Sequence, residues 1–252
     1  MKTGNNTVLI TGGTSGIGLA LAEALMRSGN TVLICGRRKD RLEALEARHP
    51  RLITKTCDVA SASERATLYE WAVDAFPDLN ILVNNAGVQL LTDLTQETDL
   101  SRVMSEIDIN LVAPIHLSSL FAPHLAGQKN AAIVNISSGL AFCPIAHMAV
   151  YCATKAALHS FTLSLRHQLK DTPVKVFEII PPSVDTELGH DRRADKTQTH
   201  GGMPVAEFIE GAMEALREDI FEAPIGPAQG LRAKREELFG AMNKGFEERY
   251  RR

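Results

Sequence analysis

The chain has 252 residues, longer than the commonest domain and within the range of one large α/β sheet. Hydrophobic residues make up 44 % and charged residues 23 %, an ordinary globular mix that excludes disordered and collagen-like chains. Lys plus Arg number 27 against 30 Asp plus Glu, a net charge of −3, so there is no basic excess to neutralise a nucleic-acid backbone.

Apolar runs alternate with helix-length amphipathic stretches. Strands are predicted at Thr7–Thr11, Thr31–Gly36, Leu52–Cys57, Asn80–Asn84, Ala131–Ser137 and Val174–Ile180, several of them nearly continuous Val, Ile and Leu. Such runs suit strands covered on both faces. Helices are predicted between them at Ser15–Ser28, Arg38–Arg48, Ser61–Phe76, Leu100–Ala126 and Ala149–Lys170. The rhythm implies right-handed crossovers and an open, doubly wound parallel sheet, three layers α/β/α, a Rossmann-type α/β fold. One compositional break, Glu187–Gly202, is polar, charged and too long for an ordinary connection, and reads as a mobile lid at about residues 186–203. A helix near Pro204–Glu218, a short strand near Phe221–Ala223 and a charged C-terminal helix complete the chain. Nothing divides it, so residues 1–252 are expected to form one domain.

Cys35, Cys57, Cys143 and Cys152 form no C-x-x-C pair, and the eight histidines include no H-E-x-x-H. Neither a disulfide framework nor a metal site is expected. Met1–Asn6 runs into a short strand rather than a signal-peptide core, and no run reaches the ~18 apolar residues of a membrane span. The expectation is a cytoplasmic protein without a nucleic-acid or membrane partner.

The first strand runs into Thr11-Gly-Gly-Thr-Ser-Gly-Ile-Gly18 and then a helix. Glycines at 12, 16 and 18 permit a tight turn, close approach of the backbone to a pyrophosphate and close helix–strand packing. The helix start then offers free N–H groups and a partial positive charge to phosphates. The context of strand before and helix after selects the nucleotide reading over an ordinary turn. About twenty residues on, the second strand ends Cys35-Gly36-Arg37-Arg38. NAD-binding sheets commonly carry an acid here for the ribose 2′-hydroxyl, and an Arg accommodates a 2′-phosphate. The acid is absent and Arg37 follows, which favours NADP(H) over NAD; Arg38 reads as the solvated start of the next helix.

Tyr151 and Lys155 stand at i and i+4, on one face of a helix. A neighbouring cation favours the phenolate of a tyrosine, so the pair suits transfer of a hydroxyl proton. Ser138 closes the strand before it, at the sheet edge where ligands bind.

Taken together, Thr11–Gly18, Asn84-Asn-Ala-Gly87, Asn110, Ser138 and Tyr151-Cys-Ala-Thr-Lys155 resemble the classical short-chain dehydrogenase/reductase family over nearly the whole chain. The resemblance implies a catalytic set of Asn110, Ser138, Tyr151 and Lys155. Tyr151 would be the general acid or base, and Ser138 would hold the substrate oxygen. Lys155 would bind the nicotinamide ribose and lower the Tyr151 pKa, and Asn110 would hold a relay water. It further implies cofactor contacts from Gly12, Thr14, Ser15, Gly16, Ile17, Gly18 and Arg37, from Asp58 and Val59 beside the adenine, and from Asn85, Ala86 and Gly87. Val184 and Thr186 would hold the carboxamide. The chain departs from the family pattern in Pro182, where a glycine is usual, and in Ser15, where some NADP-selective members carry a basic residue. The implied activity is hydride transfer between NADP(H) and a small-molecule carbonyl or secondary alcohol, in a homodimer or homotetramer. Two alternatives share parts of the pattern. A nucleotide-sugar epimerase or dehydratase of the extended branch shares Y-x-x-x-K, and a non-catalytic dinucleotide-sensing regulator would show a broken catalytic set.

Substrate contacts are expected from Val88–Thr92, Gly139–Val150 and Thr186–Gly202. Within these, His147 is placed to touch substrate, and His190, Arg192 and Arg193 to meet an anionic group; the same polarity also serves to keep a lid soluble. On the Tyr151 helix, Leu158, Phe161, Leu165 and Leu169 form the face for the sheet. Ala149, Ala153, Ala156, Ser160 and Leu163 form a small-residue stripe suited to another subunit. Glu247–Arg252 reads as a solvated tail.

Overall fold

Strands β1 (Thr7–Thr11), β2 (Thr31–Gly36), β3 (Leu52–Thr56), β4 (Leu79–Asn84), β5 (Ala132–Ile136), β6 (Lys175–Ile180) and β7 (Glu222–Pro224) form one parallel sheet in the order β3-β2-β1-β4-β5-β6-β7. The computed structural model describes residues 1–188 and 201–250. Alternate side chains of the central strands enter two cores. Val8, Ile10, Val32, Ile34, Ile81 and Val83 pack with Leu21, Leu25 and Phe208 on one face; Leu9, Leu33, Leu82 and Ile133 pack with Leu68, Leu117, Phe121 and Leu165 on the other. Burial on both faces is why these strands read as continuous apolar runs.

Helices α1 (Gly16–Arg27), α2 (Lys39–Arg48) and α7 (Val205–Arg217) contribute to the first core, and α3 (Ala62–Ala75), α5 (Ala113–Ala126) and α6 (Ala149–Gln168) to the second. The expected α/β/α layering is therefore observed. The chain leaves β1 toward β2 and β3, then returns to build outward from β4, so the strand order reverses between β1 and β4. A crevice opens there at the carboxyl ends of the strands, the place where such sheets bind ligands.

The stretch expected as one helix over Leu100–Ala126 is helical throughout but not uniform. Between α4 (Leu100–Ile107) and α5, residues Asp108–Val112 form a wider π-helical turn. Such turns carry an extra residue per turn and often mark functional sites; Asn110 lies on this one. By length and composition Leu100–Ala126 could cross a membrane, but Leu117, Phe121 and Leu125 are buried against the sheet, the position of a core helix.

The segment read as a lid begins and ends in fixed backbone. Val184 pairs in parallel with Met203; Met203 N donates to Ser183 O at 2.8 Å, and Asp185 N donates to Met203 O at 2.9 Å. His190, Arg192 and Arg193 lie outside the described residues. Pro182 is accommodated without strain: no residue from Pro181 to Leu188 takes a positive φ, so its φ near −65° is compatible with the turn. After β7 come α8 (Ala228–Lys234) and α9 (Phe239–Tyr250).

Candidate active site

Three strand ends shape the nucleotide side of the crevice. After β1, Gly12 turns with φ +66°, and a Cβ there would stand 2.7 Å from Ala86 Cα; only glycine lets the loop lie on the segment after β4. The two segments are stitched together. Thr11 Oγ1 accepts from the N–H groups of Asn85 and Ala86, each at 3.0 Å, and Asn85 Nδ2 donates to Thr11 O at 2.9 Å and Gly12 O at 3.2 Å. Ser15, the extended residue before α1, makes no side-chain cap bond, which leaves the first N–H groups of α1 to an anion.

At the end of β2, a Cβ on Gly36 would stand 2.8 Å from Thr14 Cγ2, so an acidic side chain at this position would force the Thr14 side chain to shift. Arg37 extends past Gly36 toward Asp58, Nη1 to Oδ2 3.9 Å. Arg38 is the exposed helix start expected, and it also donates from Nη2 to Thr14 Oγ1 at 3.2 Å and to Ser15 Oγ at 3.4 Å. Two guanidiniums thus flank the nucleotide loop.

Asn110 is buried and does not line the cavity. Its Oδ1 accepts from Val88 N at 2.9 Å, and its Nδ2 donates to Val88 O at 2.9 Å and to Thr154 Oγ1 at 3.2 Å. The π-helical turn therefore pins the chain after β4 to helix α6. On α6, Tyr151 and Lys155 are both buried, and Lys155 Nζ sits 5.8 Å from the Tyr151 ring centre. Lys155 Nζ donates to Ile136 O at the end of β5, 2.9 Å away. Burial pushes its pKa down to about 8, against the opposing pull of Glu178 and Glu106. Ser138 begins the short turn Gly139–Ala141, its Oγ accepting from Leu140 N at 3.1 Å.

One cavity of about 1050 Å³ runs along this edge. Every residue expected to contact cofactor lines it: Gly12, Thr14, Ser15, Gly16, Ile17, Gly18, Arg37, Asp58, Val59, Asn85, Ala86, Gly87, Tyr151, Lys155, Val184 and Thr186, together with Ser138. The loops it joins are those expected to hold an elongated dinucleotide, and the glycine-lined cradle at Gly12 and Gly36 leaves room for one.

Beyond Ser138 and Tyr151 the lining changes character. Leu90, Leu140, Ile145 and Met148 fall in segments expected to meet substrate, but Leu231 of α8 and Met242 and Phe246 of α9 line the cavity too. These were not legible as site residues, because the C-terminal stretch reads as charged and solvated. The weak signal was Met242 and Phe246, four residues apart and so on one helical face. His147 is exposed and outside the lining; its ring stacks on Phe246 with centres 5.8 Å apart.

Among the described residues one group has metal-ligating atoms within 4.8 Å of one another: His159, Glu178 and Glu222. Its members are engaged otherwise. His159 Nδ1 lies 2.7 Å from Glu178 Oε2, and Arg232 Nε donates to Glu222 Oε1 at 2.5 Å.

A dinucleotide cradle opening onto a Ser, a Tyr and a Lys on a doubly wound sheet defines a nucleotide-dependent oxidoreductase class. The sequence model described as short chain dehydrogenase matches residues 6–197, and the chain belongs to that family. It is therefore an oxidoreductase acting on CH–OH and C=O groups. A Bacillus subtilis (strain 168) protein, "Uncharacterized oxidoreductase DltE", is 50 % identical over 248 residues, 96 % of this chain and 98 % of that one. Serine 3-dehydrogenase of Agrobacterium fabrum is 37 % identical over 189 residues, 73 % of this chain and 74 % of that one. The solved structure of a short-chain dehydrogenase from Sphingobium yanoikuyae in complex with NADPH superposes with a TM-score of 0.80 at 28 % identity, covering 96 % of this chain and 95 % of that one. A Burkholderia phymatum chain of the same fold has been solved in complex with NAD.

Proposed function

We propose that the protein interconverts a carbonyl compound and a secondary alcohol with NADP(H), using Tyr151 as the general acid or base. One observation carries the reading: the Tyr151–Lys155 pair and Ser138 face the same cavity as the Gly12–Gly18 loop. When bound, NADPH supplies the hydride. Arg37 and Arg38 would hold the 2′-phosphate, the first-turn N–H groups of α1 the pyrophosphate, and Val184 and Thr186 the nicotinamide end.

The remaining chemistry is proton handling. The Ser138 hydroxyl orients the substrate oxygen. The Tyr151 hydroxyl gives a proton to that oxygen in reduction and takes it in oxidation. The Lys155 ammonium, held by Ile136 O, stabilises the negative charge that develops on the Tyr151 oxygen. Asn110 acts from behind, fixing Val88 and α6 so that these groups keep their spacing. The protein works as a homo-oligomer. The test is consumption of NADPH with a panel of ketones, and of NADP⁺ with secondary alcohols, each read beside Tyr151→Phe. Turnover that the Phe variant retains in full would refute the assignment.

A further inference from the structure

Among the described residues, the wall of the cavity beyond Ser138 and Tyr151 is built from apolar side chains. Leu140, Met242 and Phe246 pack on a cluster formed by Ile145, Met148, Tyr151 and Cys152, so an apolar wall runs up to the tyrosine itself. Leu231 extends it over the Ser138 turn, where a Cβ on Gly139 would meet its Cδ1 at 2.6 Å.

Helix α9 is fixed as part of this wall. Asn243, buried at 8 % exposure, accepts from Ala146 N at 2.5 Å and donates to Pro144 O at 3.1 Å and Phe239 O at 2.9 Å. That locks α9 onto the loop between Ser138 and Tyr151, and the His147 ring backs Phe246 from outside. A built wall of this kind is a preformed site, so a ligand meeting it need not pay for ordering it.

Apart from Lys155 beside Tyr151, charge among the described lining residues is collected at the other end. The charged residues lining the cavity, among those described, are Arg37, Arg38, Asp58, Lys155 and Glu187. Arg38 and Arg41 both reach Glu187, at 3.7 and 2.7 Å, Arg37 faces Asp58, and Lys155 is held at β5. An amino acid such as serine needs a cation and an anion beside the reacting carbon, and an isolated charge against Leu, Ile, Met and Phe is heavily penalised.

Building on the proposed reaction, we infer that the substrate is a ketone or secondary alcohol bearing a bulky hydrocarbon or aromatic substituent, with Met242 and Phe246 as specificity-determining residues. The substituent lies along the Met148–Phe246 wall, and the thioethers of Met148 and Met242 let the wall adapt to different shapes.

The experiment is calorimetry of ketones titrated into the protein saturated with oxidised cofactor, where no turnover follows. From butan-2-one to octan-2-one the affinity is expected to rise roughly fourfold per added methylene. The carboxylate 4-oxopentanoate is expected to bind no better than butan-2-one. Met242→Ala and Phe246→Leu each lower octan-2-one affinity while leaving butan-2-one and cofactor affinity unchanged. Affinity independent of chain length, or tighter binding of the carboxylate, overturns the inference. The two readings separate cleanly. Graded ketone binding without NADPH consumption supports the substrate class and removes the reaction; oxidation of serine without octan-2-one binding supports the reaction and removes the substrate class.

Discussion

Lys155 Nζ donates to the carbonyl oxygen of Ile136 at 2.9 Å, which places a buried ammonium at the carboxyl end of a central strand. Its pKa is pushed down to about 8 by burial, against roughly 10.4 in an unfolded chain. Below pH 8 both states hold the proton, and the folded protein bears the whole cost of the buried charge. Between about 8 and 10.4 the unfolded chain binds more protons, so this contribution rises with pH, and above that window the cost is gone. Lys155→Met is therefore expected to stabilise the cofactor-free protein by about 2 kcal/mol at pH 7, after roughly 1 kcal/mol is deducted for the lost hydrogen bond. The gain should fade by pH 10.5. Urea denaturation of both proteins across pH 7–10.5 measures it, and a gain that does not change with pH contradicts the assignment to the ammonium.

Loss of one oxygen isolates the proton step. Tyr151→Phe keeps the ring in the apolar cluster with Ile145 and Met148, so the fold and the nucleotide end should persist. Turnover is expected to fall by about 10²–10⁴, the usual contribution of a positioned acid or base, with NADPH affinity within twofold of wild type. Steady-state kinetics and fluorescence titration give the two readouts. Equal loss of binding and turnover would assign Tyr151 to cofactor binding instead.

The proposed preference for NADPH rests on a pair of arginines. With a charge-assisted hydrogen bond worth roughly 1.5–3 kcal/mol, Arg38→Ala is expected to weaken NADPH roughly ten- to hundredfold and leave NADH unchanged. Arg37→Ala should act in the same direction. Gly36→Asp should damage both cofactors, because its Cβ would already stand 2.8 Å from Thr14 Cγ2. Calorimetry with NADPH and NADH on each variant is the measurement; equal wild-type affinities would refute the preference.

What the sequence reveals here follows the range of the interactions. The sheet is legible because β1, β2 and β4 are buried on both faces and so must be continuous Val, Ile and Leu. The Gly12–Gly18 loop, Asn85 and Tyr151–Lys155 are legible because each needs a fixed residue type at fixed spacing. The contacts of Arg38 to Thr14 and Ser15 are not, because they span 24 and 23 positions and a basic residue at a helix start looks the same without them. The π-helical turn at Asn110 leaves the apolar periodicity of its two flanking helices intact. Helix α9 is the largest omission: Asn243 ties it to residues 97 and 99 positions earlier, a relation no local pattern of charge or hydrophobicity carries.

The outer side of α6 supplies the last expectation. Leu158 and Leu165 are buried against the sheet while Ala153, Ser160 and Leu163 face outward, so the small-residue stripe lies opposite the core face. Helix α4 packs beside α6 and carries exposed apolar side chains of its own, Leu100 and Met104, 68 % and 46 % exposed, against 43 % for Leu163. Large apolar side chains next to a row of Ala and Ser suit close approach of a second copy: the small residues admit a facing helix, and the leucines supply the buried area. Ala153→Glu puts a carboxylate in the middle of that contact, where association would strip its water without providing a partner. Wild type is expected to sediment as a dimer or tetramer at micromolar concentration and Ala153→Glu to shift toward monomer. Turnover should fall as well, since the same helix positions Tyr151 and Lys155. Sedimentation equilibrium decides between the outcomes. A monomeric wild type refutes the interface, and an oligomer indifferent to the glutamate moves it to another face of the molecule.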